Sequence, residues 1–260
     1  MAAPKQEYIP FIGFVLDFET GGLKSQTSAI TQISLRAIRL DTFETLGIFT
    51  RYIYPYNRKE VKGTAPKRKV LKNKYDAAQE IPMDYEEKAL EYSAIKMDTL
   101  YSQGAVIEHV AQDVLAWMKD MIPVKTPKSR KPLIIGQNIW FDEGFLCQMF
   151  EYAGLTKELS KILRGYEDFY GNWHPQVIDT IHLGNLALGQ NPSVNSFKLE
   201  LMCEMLSIEL DDAHDAEADV TATTNVLAEL TKRMRSVGGV SEGDDIQMNK
   251  VEKSRKHFKI

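Results

Sequence analysis

Cysteine is scarce in this chain. Two occur in 260 residues, Cys147 and Cys203, each inside an apolar stretch, so buried free thiols are expected in place of a disulfide framework or a zinc site. Long apolar runs are missing as well: no segment approaches the roughly 18 residues of a membrane span. The opening MAAPKQEYIP has no apolar core of the kind a secretion signal carries. The chain is therefore expected to be soluble and cytoplasmic, without a membrane partner. Nor is there an excess of positive charge. The formal net charge of −4 and the pI near 5.8 exclude a protein that coats nucleic acid by charge alone. An acidic enzyme can still meet phosphates through metals and a local basic patch. Gly21-Gly22 is not followed by Gly-Lys-Ser/Thr, Gly13 stands alone, and neither His-Glu-x-x-His nor paired Cys-x-x-Cys occurs. NTP-driven, dinucleotide-dependent and zinc-hydrolase chemistry thus lack their usual signatures. His109, His174, His182 and His257 lie in dissimilar contexts and are read as surface or structural residues.

What is present is ordinary globular material, 43% apolar and 26% charged, enough for one large domain. Phe11-Ile12-Gly13-Phe14-Val15-Leu16 is continuously apolar and ends at the Gly21-Gly22 turn, which predicts a central strand covered on both faces. Residues 30–40 alternate Ile33, Leu35 and Ala37 with Gln32, Ser34 and Arg36, and a turn at Asp41-Thr42 leads to a third run over 46–54. These three predict an antiparallel meander. Composition then changes: Arg58, Lys59, Lys62, Lys67, Arg68, Lys69, Lys72 and Lys74 crowd a stretch with Gly63 and Pro66, read as a basic insertion at about 57–84. Helical spacing returns at Val106, Val110, Val114, Leu115 and Met118. Leu133-Ile134-Ile135 reads as a buried strand, followed by a helical stripe of Phe141, Phe145, Leu146, Met149 and Phe150. Val177-Ile178-Asp179-Thr180 reads as a fifth strand, and helices are expected over 196–206 and 215–235. The charged end at 237–260 is expected to be a flexible tail. The sum is a single α/β domain over 1–236, a mixed five-stranded sheet with helices on both faces. No internal repeat is visible.

Five residues carry the chemistry: Asp17, Glu19, Asp142, His214 and Asp219. Their contexts would let one fold bring four carboxylates and an imidazole together, an arrangement that repels itself unless divalent cations neutralise it. Asp17 and Glu19 are two apart at a strand end, so the pleat sends both to one side. The spacing alone is weak, since roughly one Asp-x-Glu is expected by chance in such a chain. The strand's carboxyl end, where ligands gather in α/β sheets, is the stronger argument. Asp142 falls in a first helical turn, where the helix dipole would favour it without any ligand. In His214-Asp215-Ala216-Glu217-Ala218-Asp219, Asp215 suits the helix N-cap and Asp219 the ligand role, with small Ala216 and Ala218 permitting close approach to the sheet. His214 precedes the helix. An imidazole that titrates near 6.5 can accept a proton from water at neutral pH.

The segments Asp17-Phe18-Glu19-Thr20-Gly21-Gly22-Leu23, Asn138-Ile139-Trp140-Phe141-Asp142 and His214-Asp215-Ala216-Glu217-Ala218-Asp219 resemble, in order, the three exonuclease motifs of the DnaQ-like (DEDDh) 3′-to-5′ exonucleases. That family includes the proofreading subunits of bacterial replicative polymerases and RNase T. The resemblance spans about residues 11–235, with Ile178-Asp179-Thr180 and Phe197-Lys198-Leu199 similar to its intervening pattern. It implies a ribonuclease-H-like fold and release of nucleoside 5′-monophosphates from a free 3′ end. Asp17, Glu19, Asp142 and Asp219 would hold two magnesium or manganese ions, with His214 as general base. It further implies contacts to the terminal nucleotide from Thr20, Gly21, Leu23, Asn138 and Phe141, Leu23 serving as an apolar wedge. Lys67, Arg68 and Lys69 are expected either to clamp the substrate backbone or to be a solvated loop. The insertion at 57–84 lies outside the family's common core. DNA and RNA are both open as substrates, because the contacts that would read a 2′-OH cannot be placed from sequence. A polymerase or another replication or repair protein is the expected protein partner. The rival reading is a non-catalytic nucleic-acid- or polymerase-binding subunit on the same fold.

Overall fold

In the computed structural model, described over residues 9–59, 80–210 and 215–236, three strands open the chain: β1 (Ile12–Thr20), β2 (Ile30–Arg39) and β3 (Thr45–Tyr52). They pair antiparallel, as the meander reading predicts. Short helices α1 (Glu87–Tyr92) and α2 (Met97–Gln103) lead into the amphipathic α3 (Ile107–Met121). β4 (Leu133–Gly136) precedes α4 (Ile139–Tyr152) and α5 (Thr156–Ile162), and then a small hairpin of β5 (Gly165–Glu167) and β6 (Trp173–Pro175). β7 (Val177–Asp179), α6 (Thr180–Leu188), α7 (Leu199–Leu206) and α8 (Ala216–Arg235) complete the described chain. The main sheet runs β3-β2-β1-β4-β7, with β4 and β7 joining parallel to β1. This is the mixed five-stranded sheet expected from sequence.

Alternate residues of β1 divide the core. Phe14, Leu16 and Phe18 face α3 and α4 in the larger cluster, while Val15 packs with Ile38 and Ile135 against Val220 and Leu227 of α8. Odd-numbered residues of β1 thus point toward α8, and Asp17 and Glu19 continue that row. Because α8 also covers β2, that strand is buried on both faces: Gln32 and Ser34 are as enclosed as their apolar neighbours.

Some sequence expectations need correction. The fifth strand stops at Asp179, and Thr180 is already helical. The cause is a cap: the Asp179 carboxylate accepts the Ile181 N–H at 2.9 Å, a stronger signal for starting a helix than the β-branched residues are for continuing a strand. Helix α6 itself, α5 and the β5–β6 hairpin escape the hydrophobic pattern because they are short. The flanks of the basic insertion are built into the fold: Arg58 N–H donates to Ile81 O and Met83 N–H to Tyr56 O, and Met83 is buried in the main core. Lys67, Arg68 and Lys69 lie outside the described residues, as does the segment 237–260. Among the described residues no helix is long and apolar enough to cross a membrane.

Candidate active site

The site begins with the pleat of β1. Asp17 and Glu19 share one side of the strand, and just beyond Glu19 the pairing with β2 slips, so that Thr20 faces Ile30. Irregularities of this kind end a ladder and re-aim side chains. The second component is the start of α8. Asp215 is its N-cap, its carboxylate accepting the Ala218 N–H at 3.3 Å, as the like-charge spacing of Asp215 and Asp219 suggests. The side-chain amide of Gln32 bridges strand and helix. Its Nε2 donates to Asp215 Oδ1 at 3.2 Å, and its Oε1 accepts the Ala216 N–H at 3.4 Å. Ala216 is fully enclosed, so the helix end sits close against the sheet. One turn on, Asp219 reaches the β1 pair: a carboxylate oxygen from each of Asp17, Glu19 and Asp219 lies within 4.8 Å of the other two.

Asp142 comes from the opposite side, on the first turn of α4. The turn before it depends on Asn138, which is left-handed at φ 53° and ψ 38°; asparagine tolerates this better than most residues. The Asn138 N–H donates to Asp179 Oδ1 at 3.1 Å. Asp142 is buried, and its Oδ1 accepts the Phe18 N–H at 3.1 Å. That bond fixes it against the backbone between Asp17 and Glu19, within the electrostatic reach of both.

Such crowding leaves the carboxylates reluctant to ionise. Burial, then Asp219 and Asp215, push Asp17 from 3.8 to about 8. Burial, then Asp17, Asp219 and Asp215, push Glu19 from 4.5 to about 9. Burial and then Asp17 hold Asp142 well above the carboxylate range, with the Phe18 N–H opposing. No basic side chain is among the causes for these three. A cluster shifted in this direction calls for neutralisation, which a proton or a divalent cation held by these gathered oxygens would supply. The donor set fits hard cations such as magnesium or manganese.

Of the other sequence-selected residues, Thr20, Gly21 and Leu23 lie at or just past the end of β1 and Asn138 and Phe141 at the start of α4, while His214, Lys67, Arg68 and Lys69 lie outside the described residues. Thr20 Oγ1 donates to Gly22 O at 2.9 Å. Gly21 donates its N–H to Ala29 O and accepts the Glu86 N–H. A Cβ at Gly21 would stand 2.5 Å from Asp84 O, which accounts for the missing side chain. Leu23 is 81% exposed just past this turn. Phe141 is half-buried against Phe145, ring centroids 5.0 Å apart. Two residues escaped sequence reasoning. Gln32 looked like a solvent-facing strand position, and only its cross-chain partners disclose its role. Tyr92 ends α1 in a stretch without clear periodicity; it is exposed, yet its hydroxyl senses Glu200, Asp219 and Glu19 once burial is counted, and its pKa is raised.

No protein-family model matches the sequence. Solved structures of similar fold include those of Escherichia coli exonuclease I. Its complex with a dT13 oligonucleotide is 20% identical with a TM-score of 0.57, over 85% of this chain and 41% of that one. The zinc-bound form of its complex with single-stranded DNA is 19% identical with a TM-score of 0.57, over 87% and 41%. The complex of exonuclease I with SSB-Ct is 18% identical with a TM-score of 0.56, over 87% and 42%. The chain spans about two fifths of the length of these neighbours. At this identity the likeness establishes the fold, which is ribonuclease-H-like.

Proposed function

We propose that the chain is a metal-dependent 3′-to-5′ exonuclease of the DnaQ-like, DEDDh type, acting on single-stranded DNA and releasing nucleoside 5′-monophosphates. The observation that carries this reading is the convergence of Asp17, Glu19 and Asp219, from a strand end and a helix start, with no basic side chain among the causes of the raised Asp17 and Glu19 values. Sequence motifs in the matching order and the fold shared with exonuclease I support it. Oligonucleotide and single-stranded DNA complexes of that protein favour DNA over RNA as substrate.

Asp17, Glu19, Asp142 and Asp219 would hold two magnesium or manganese ions. Such ions, when bound, supply Lewis-acid activation of water and charge stabilisation at the phosphate. The remaining work falls to the chain. The Phe18 N–H fixes the direction of Asp142, and Gln32 sets the distance of α8, hence of Asp219, from the sheet. His214, by its place in the third motif, takes a proton from the attacking water on an imidazole nitrogen. As the water oxygen bonds to phosphorus, the bond from phosphorus to the 3′ oxygen breaks, and that oxygen is protonated from solvent. Leu23, exposed beside the acidic pair, supplies an apolar surface for the terminal base. The protein partner is proposed only as a class, a replication or repair protein; one neighbour carries SSB-Ct.

The test uses 3′- and 5′-labelled DNA and RNA oligonucleotides, single and double stranded, with magnesium, manganese or EDTA. Mononucleotides should appear from the 3′ end of single-stranded DNA and vanish with EDTA. Faster trimming of RNA would move the substrate assignment. Binding without cleavage in every metal would replace the enzyme with a binding subunit.

A further inference from the structure

A second group of metal-competent side chains lies on the outer part of α4. Glu143 and Cys147 are one turn apart and so share a helix face, which looks toward the β5–β6 hairpin. His174 of β6 closes the gap. Its Nδ1 lies 2.7 Å from Glu143 Oε1, and one donor atom from each of Glu143, Cys147 and His174 falls within 4.8 Å of the other two. All three are half-buried, sheltered from bulk water yet reachable by an ion.

The imidazole is held from its other sides too. Nε2 faces Asp168 Oδ2 at 3.6 Å. Asp168 is itself fixed, Oδ1 accepting the N–H groups of Tyr170 and Asn172 at 2.8 Å each and Oδ2 accepting Asn172 Nδ2 at 3.0 Å. The Tyr166 ring stacks on His174 with centroids 5.6 Å apart and planes 21° from parallel.

We propose that Glu143, Cys147 and His174 form a binding site for one zinc ion or a chemically similar borderline cation, separate from the carboxylate cluster. Sulfur, imidazole nitrogen and carboxylate oxygen are the three donor types zinc takes from proteins. Magnesium and manganese prefer oxygen alone, so this donor set selects against the ions that suit Asp17 and Glu19. Asp168 stands where a metal-bound imidazole wants an acceptor, on the nitrogen away from the ligands, fixing tautomer and ring direction. A tetrahedral ion with bonds of about 2.0 Å sets nitrogen and oxygen ligands about 3.3 Å apart. A small rotation of the Glu143 carboxyl supplies that opening. On binding, Cys147 loses its thiol proton to solvent, and the imidazole proton moves from Nδ1 to Nε2, where Asp168 accepts it. Burial and then Glu143 and Glu151 push the unliganded thiol up to about 12, so its proton leaves only when a cation takes its place. Water fills the fourth position. The ion would tie the hairpin to α4: a pair of three-residue strands is marginal alone, and α4 carries Asp142 immediately before Glu143.

Cobalt is the probe, because sulfur ligation gives it a near-ultraviolet charge-transfer band that carboxylates cannot produce. Whole protein titrated with cobalt should show that band together with the intense visible bands of four-coordinate cobalt, and zinc should abolish both. Cys147→Ser should remove the charge-transfer band and Cys203→Ser should keep it. Asp168→Asn should keep the band while weakening zinc binding about 10- to 100-fold in competition with a chromogenic chelator. A wild-type spectrum with only the weak bands of oxygen ligation overturns the proposal, whatever the variants do; so does a band that survives Cys147→Ser. The readout contains no nuclease step, so failure of the exonuclease reading leaves it intact.

Discussion

Two corners of this molecule collect side chains of the types that can hold metals, and they are built differently. At the first, Asp17, Glu19 and Asp219 offer only oxygen, held by the central strand and by a long helix whose start is clamped to β2 through Gln32. At the second, Glu143, Cys147 and His174 offer oxygen, sulfur and nitrogen, held by one helix face and a short hairpin. Like charges, gathered by rigid elements, make the first corner unstable without protons or cations. The second is already balanced, because Glu143 and His174 satisfy each other. On the proposed readings, a cation would add to the second corner and would complete the first.

Substitution breaks this comparison most sharply. Asp17→Ala or Asp219→Ala should lower mononucleotide release by at least 100- to 1000-fold, about the loss from deleting one group that stabilises transition-state charge. Cys147→Ser should leave the rate within about twofold of wild type. Near-normal release by Asp17→Ala would remove the first corner from the chemistry.

The next largest effect is on stability against pH. The folded values of Asp17 and Glu19, about 8 and about 9, stand above their ordinary 3.8 and 4.5. Between those limits the folded chain binds more protons than the unfolded one, so stability is greatest at the acidic end and falls as pH rises. In EDTA, thermal unfolding should therefore move down by several degrees from pH 6 to pH 8. Asp17→Asn should flatten the decline, and magnesium should do the same to wild type. A wild-type curve that rises over this interval would show that the carboxylates are stabilised as anions. The two corners also differ in tolerance of a methyl group. Gly21→Ala meets a backbone oxygen at 2.5 Å and should cost about 1–3 kcal/mol. Gly171→Ala meets nothing, but its φ of +80° costs about 1 kcal/mol. Chemical denaturation of the two variants ranks them.

The difference between the corners also explains what the sequence could disclose. Long apolar elements were legible: β1, β2, α3, α4 and the body of α8 lie close to where periodicity puts them, because burial of one or both faces imposes the pattern. The acidic pair was legible because position and spacing on a single strand fix its direction. Glu143, Cys147 and His174 were not. Helical spacing joins the first two, but His174 comes from a three-residue strand with no periodicity, and it read as one unremarkable histidine among several. Asp179 misled in a similar way. Its local strand propensity was correct, and the helix it caps became visible only once its carboxylate was seen accepting the Ile181 N–H.

The smallest predicted effect tests what holds the first corner rigid. Gln32 is buried, and its amide contacts both the cap and the first residue of α8. Gln32→Ala leaves the Ala216 N–H without that acceptor and frees one oxygen of Asp215. The expected loss is about 1 kcal/mol of stability, a typical net value for buried hydrogen bonds. A purely structural role would stop there. If Gln32 sets the position of Asp219, the apparent magnesium requirement for mononucleotide release should rise several-fold while oligonucleotide binding in EDTA stays constant. Gln32→Glu should not restore it, because a carboxylate cannot donate to Asp215 and adds a charge beside those already crowded there. A magnesium requirement unchanged in both variants would mean that Asp219 is placed by the packing of Ala216 and Val220 alone.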